Sequence, residues 1–193
     1  MSTEAFSPEE SLRVIQTMIN KTRQQISGQS HYFLMWGWCT LAACIGQFLL
    51  MQVFHYEKHY LVWLITIPCV IFTIWFSTRE VKNKKVKTYA AENMSYLWTG
   101  IGISFFVVSM IFSKIGWVNC YPFYIMFYGL GSFVSGRILR FTPLVIGGAV
   151  NWGLALAAIW APFGYQPLFA AAALLFSYII PGHLLRSTQR EIQ

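Results

Sequence analysis

The chain has 193 residues, of which 56% are apolar and 11% charged, against about 25% charged in an ordinary soluble domain. So little charge cannot cover a water-facing surface, and the mean hydropathy of +0.50 agrees. The formal net charge is +7, and its distribution along the chain explains it without a nucleic-acid partner.

The first 30 residues read as a polar segment built around one amphipathic helix, 8–27. Ser7 can cap it, Pro8 suits its first position, and Glu10 completes a capping box. Leu12, Ile15, Met18, Ile19 and Ile26 recur at helical spacing, Lys21 and Arg23 suit the C-terminal dipole, and Gly28 is the expected stop. Such a helix lies on the bilayer, packs beneath its own bundle, or docks a partner protein or a second copy.

Crossing the hydrocarbon core takes about 20 apolar residues. Six stretches qualify: 32–54, 60–77, 94–113, 119–136, 141–160 and 166–185. None contains Asp, Glu, Lys or Arg, and each is continuous rather than alternating, which implies helices. The expected fold is therefore all-α, a polytopic bundle of six transmembrane helices in three hairpins spanning 31–186, with a tail at 187–193. The basic stretch 78–93 continues the second span. Its Lys82, Lys84, Lys85 and Lys87 are placed to attract anionic lipid.

Twelve of the fourteen Lys and Arg residues fall on one side of this arrangement; only Lys58 and Lys114 fall on the other. The positive-inside rule then puts both termini in the cytosol, and the short loops favour a bacterial inner membrane. The outer turns, roughly 55–59, 114–118 and 161–165, leave no room for an outer domain. Tyr56, Tyr60, Trp63, Trp117, Tyr121, Trp160 and Tyr165 crowd them as an interfacial belt.

Inside the spans the informative residues are few. Ala149, Gly153, Ala157 and Ala161 form a small-residue stripe suited to close helix packing or to a subunit interface. Asn151 and Gln47 are amides that need partners in hydrocarbon. Either they glue helices together or, with Trp36, Trp38 and Trp152, they line a small-molecule pocket. Cys39, Cys44, Cys69 and Cys120 show no C-x-x-C spacing, which leaves them as small apolar side chains. Ser135 in Phe133-Val134-Ser135-Gly136, with His183, superficially matches the serine and histidine of rhomboid proteases. The preceding glycine is missing and both residues fall at the cytosolic edge. No catalytic residue, metal site or cofactor is expected, and the lack of intramembrane charge argues against ion coupling.

Ser11-Leu12, Met18-Ile19-Asn20-Lys21, His31-Tyr32 and Trp36-Gly37-Trp38 resemble a group of uncharacterised bacterial six-pass membrane proteins. The resemblance runs over the whole chain and implies the same architecture, with no activity to carry over. In length, span number and small residues on the first span (Ala42, Gly46) the chain is also similar to the substrate-binding subunits of energy-coupling-factor vitamin transporters. The leading expectation is a non-enzymatic interaction, regulatory or scaffold protein acting through its cytosolic face, with anionic lipid and a protein partner or homo-oligomer as its contacts. The alternative is a small-molecule binding or transport subunit.

Overall fold

A computed structural model describes the backbone over residues 8–83 and 89–190, and side chains over 30–79 and 90–187. The expected lipid-contact residues Lys84, Lys85 and Lys87 lie outside the described residues, as do the side chains of Lys82 and of Leu12, Ile15, Met18, Ile19 and Ile26. Among the described residues there are helices and turns, and no strand.

Helix α1 runs unbroken from Pro8 to Gln52, 45 residues. The stop expected at Gly28 is absent. A glycine within a helix costs about 1 kcal/mol relative to alanine; it ends a helix only by adopting a left-handed conformation, which among the described glycines is confined to Gly116. The amphipathic segment and the first span are thus one rod.

A 3-10 helix over His59–Ile65 leads into α2 (Thr66–Asn83). Pro68 accounts for the change of pitch. It has no N–H and its ring would strike the Leu64 carbonyl of a regular α-helix; the turn before it is tightened, with the Thr66 N–H donating to the Trp63 carbonyl three residues back. Then come α3 (Tyr89–Ile115), α4 (Cys120–Ile138) and α5 (Thr142–Ile159). The last helical passage is composite. A short 3-10 turn at Phe163–Tyr165 opens α6 (Gln166–Leu174), a π turn at Leu175–Ile179 interrupts it, and α7 (Ile180–Arg190) completes it. Pro181 forces that interruption, since an unbroken α-helix would drive its ring into the Ser177 carbonyl four residues back.

Five segments are long and apolar enough to cross a membrane: Ser30–Gln52, His59–Arg79, Ala90–Ile115, Thr142–Ile159 and Phe163–Ser187. The expected fourth span, α4, is not among them. Tyr121, Tyr124, Tyr128, Gly129, Gly131, Ser132 and Ser135 lower its hydropathy. Its position explains why it tolerates them: α4 packs against α3, α5 and α6 together, which buries Tyr121, Gly129, Gly131, Ser132 and Ser135 and leaves the apolar Phe123, Met126 and Leu130 on its exposed face. Burial of the five apolar segments falls from 56% for Phe163–Ser187 to 11% for Ala90–Ile115 and 0% for His59–Arg79. The bundle is therefore α1, α4, α5 and α6–α7 at the centre, with α2 laid along α1 and α3 along α4.

Arg79, Arg137, Arg140 and Arg186 are all exposed at helix ends, and they share one end of the bundle, hereafter the basic end. Arg140 takes a positive φ of 52° in the short turn between α4 and α5, and the opposite end carries further tight turns. There His55, Gly116 and Asn119 take positive φ of 48°, 96° and 63°.

Candidate functional site

The row of α1 that faces the interior is Ser30, Phe33, Gly37, Thr40, Cys44 and Gln47, all buried. Its alternating spacing of three and four residues keeps one narrow face inward over the whole span. Gln47 ends that row and is 4% exposed. Its amide oxygen accepts from Trp63 Nε1 and from Tyr121 Oη. Its amide nitrogen lies 3.2 Å from His59 Nδ1 and 3.7 Å from Met51 Sδ. One side chain thus clasps the 3-10 helix and α4 to α1. The clasp is walled by aromatic rings: Trp63 and Tyr121 lie 6.5 Å apart between centroids, and Tyr121 and Phe163 lie 6.0 Å apart.

A second amide tie sits at the same end. Gln166, wholly buried, donates from Nε2 to Asn119 Oδ1 at 2.7 Å and to the Ala161 carbonyl at 3.3 Å. This joins the start of α6 to the residue that opens α4.

A third polar node lies at the π turn. Asn151 is wholly buried on α5, and its amide meets Ser177 Oγ at 3.0 Å. With the amide oxygen accepting from Ser177, the nitrogen donates to the Ala173 carbonyl at 3.0 Å and to the Gly147 carbonyl at 3.2 Å. We assign that orientation because it satisfies the whole group. Close approach is what makes the node possible. A Cβ at Gly147 would stand 2.3 Å from the Phe176 carbonyl oxygen, and one at Gly148 would stand 2.6 Å from the Phe133 nitrogen. On the same face of α4 as Phe133, Gly129 admits Asn151 and Trp152 of α5, while on a different face Gly131 admits Trp98 of α3.

These contacts revise the expected packing stripe. Ala149, Gly153 and Ala157 are exposed and Ala161 is half-buried; no atom lies within 4 Å of a Cβ built on Gly153. Packing within the chain uses the adjacent face of α5: Leu144, Gly147, Gly148, Asn151, Ala155 and Ala158. Spacing alone could not separate the two, because small residues occupy both faces.

The five residues expected around a pocket are distributed to separate places. Trp36 donates from Nε1 to Thr73 Oγ1 of α2 at 3.0 Å. Trp38 is exposed and stands edge-on to His183, with centroids 6.4 Å apart. Trp152 is partly exposed against Phe133 at 5.3 Å. Gln47 and Asn151 each belong to their own node and share no partner. A shallow open groove is lined by Pro68, Ile71, Phe72 and Trp75, all on the outer surface of α2.

Sequence reading missed the aromatic core toward the basic end. Phe33, Trp98 and Tyr178 meet in mutual edge contacts of 5.4–6.3 Å, and Tyr128 joins Tyr178 at 5.4 Å. Their sequence separation hides this, and aromatics in a membrane chain read first as interface anchors. Ser135 is wholly buried with no hydrogen-bond partner for its hydroxyl, while His183 is exposed on α7. They form no nucleophile–base pair. The four cysteines are free thiols; Cys39 donates to the Ile65 carbonyl at 3.4 Å. Among the described residues no three His, Cys, Asp or Glu side chains converge on a point. No protein family, curated protein or solved structure matches the chain.

Proposed function

We propose that this is a six-pass protein of a bacterial inner membrane, with both termini cytosolic, that acts by interaction rather than by chemistry. In this reading α4 is the remaining crossing, fourth in chain order, with its polar residues packed against its neighbours and Phe123, Met126 and Leu130 turned outward. The basic end, with Arg79, Arg137, Arg140 and Arg186, faces the cytosol as the positive-inside rule requires, and the Lys82–Lys87 stretch engages anionic lipid there.

The observation that carries the functional reading is the length of α1. The helix has 45 residues and its apolar span 23, so 22 helical residues precede the span. At 1.5 Å per residue they extend about 33 Å. An unbroken helical ladder gives this extension no hinge for lying flat on the bilayer. A helical rod that runs 22 residues ahead of its apolar span and carries an apolar stripe in its sequence is suited to docking a protein partner or a second copy. The two buried amides favour interaction over small-molecule binding, because Gln47 and Asn151 spend their hydrogen-bonding capacity within the chain.

The test is photo-crosslinking in native membranes, with the reactive side chain placed in turn at positions 12, 15, 19 and 26 and at 13, 17 and 24. Adducts to one defined protein species from the first set alone are expected, and they should vanish when Leu12, Ile15 or Ile19 becomes Gln elsewhere on the stripe. Equal labelling from both sets, or lipid adducts alone, would overturn the reading.

A further inference from the structure

We propose that the contact between Gln47 and His59 is an acid-released latch, which holds the first tight turn to α1 only while His59 is uncharged. The argument rests on donors and acceptors. An indole N–H can only donate, and Trp63 Nε1 lies on the Gln47 amide oxygen. This fixes which way the amide faces. Its nitrogen must then be the atom turned toward His59 Nδ1, at 3.2 Å. An amide nitrogen has hydrogens to give and no lone pair to offer, so Nδ1 has to be the bare nitrogen of the ring, with the proton on Nε2. A second proton would place an N–H against an N–H, and the contact would be lost.

The surroundings make the response local. From α1, His59 faces Gln47 and, through the same amide, the Met51 thioether. Tyr121 of α4 lies behind Gln47, bonded to its oxygen. On its own helix His59 faces the Tyr60 ring at 6.2 Å. The charged residues Glu57 and Lys58 just before it are both exposed. Histidine is the side chain that ordinarily changes charge between about pH 5 and 8. The neighbouring His55 provides a contrast, because its Nδ1 lies 3.1 Å from the Met51 carbonyl. A carbonyl accepts, so that nitrogen already carries its proton, and charging the ring leaves the bond in place. Acid therefore releases His59 and spares both His55 and the pairing of Gln47 with Trp63 and Tyr121. What opens is the start of the 3-10 helix. With the proposed topology, this end of the bundle samples the pH outside the cytosol; the latch itself does not depend on what the α1 extension binds.

The experiment uses the full chain in nanodiscs, as wild type and as His59→Gln, whose side-chain oxygen accepts from Gln47 but does not titrate. Hydrogen exchange, expressed as protection factors so that the intrinsic pH dependence cancels, is followed for the amides of 60–64 between about pH 8 and 5. We expect wild-type protection to fall by several-fold to about tenfold, the scale of one hydrogen bond, and His59→Gln to stay flat. An equal fall in both proteins, or none in the wild type, overturns the proposal. So does a nitrogen NMR spectrum at about pH 8 showing the His59 proton on Nδ1, a measurement that needs no variant.

Discussion

Replacing Gly147 with alanine tests the packing of α5 against the π turn most sharply. The new Cβ would lie 2.3 Å from the Phe176 oxygen, 2.9 Å from the Ser177 Cα and 3.0 Å from the Phe176 carbonyl carbon. All three are backbone atoms and cannot swing aside as a side-chain tip would. Restoring ordinary contact moves the π turn outward by roughly 1 Å, which stretches the 3.0 Å Asn151–Ser177 contact beyond hydrogen-bonding range. Overpacking costs about 1–3 kcal/mol, and a lost hydrogen bond between membrane helices about 0.6–1.7 kcal/mol. Against these stands a gain of up to about 1 kcal/mol from replacing glycine within a helix. The net loss is about 1–4 kcal/mol. Gly153→Ala is the matched control on the same helix: nothing lies within 4 Å of its new Cβ, so only the helix gain applies. Unfolding in detergent mixtures of rising SDS fraction, followed by far-ultraviolet circular dichroism, should place Gly147→Ala well below wild type and Gly153→Ala at or above it. Adding Asn151→Ala to Gly147→Ala should cost less than adding it to wild type, because both disturb one contact. Coincident midpoints for the two glycine variants would refute the reasoning.

Gln47→Leu strands two donors, Trp63 Nε1 and Tyr121 Oη, and should cost about 1–3 kcal/mol for each in the same SDS titration; an unchanged midpoint would mean that the clasp contributes nothing. The six-pass topology predicts that, in a chain otherwise free of cysteine, single cysteines at Glu57, Lys114 and Pro162 react with an impermeant maleimide from outside the cytoplasmic membrane. Cysteines at Asn83 and Ser187 should react only after that membrane is permeabilised, and reversal at any one site would remove a crossing.

Much of the helical architecture was legible because a long apolar run without charge has few ways to fold other than as a helix. What stayed hidden depends on which neighbour lies across from a residue. Gly28 looks the same in a sequence whether it ends a helix or sits within one; the run of residues after it, committed to helix by the membrane, decides in favour of continuation. Pro68 and Pro181 lie inside stretches expected to be plain helical spans, and whether each would bring a tighter or a wider turn depended on how the carbonyl four residues back could be moved clear of its ring. The two stripes of α5 differ by a fraction of a turn, and only the position of Phe133 and Phe176 tells which is packed. Gln47 and Asn151 were recognisable as residues in need of partners. That Trp63, Tyr121 and Ser177 meet that need came from the fold.

The π turn has a consequence for register. It holds one residue more than an α-helical turn, so everything after Ile179 is set back by about 100° around the axis relative to an uninterrupted helix. That offset keeps Gly182 beneath Leu34, places His183 beside Trp38, and leaves Leu185 buried while its neighbour Arg186 is exposed. The extra residue acts as a gear between two halves of one helix, each meshed with α1 on its own terms. Straightening 175–179 to an α-helical turn at full length would swing Leu185 away from the interior and bring a different row of α7 against the first helix, whereas removing one residue there as well would return Leu185 to its inward face.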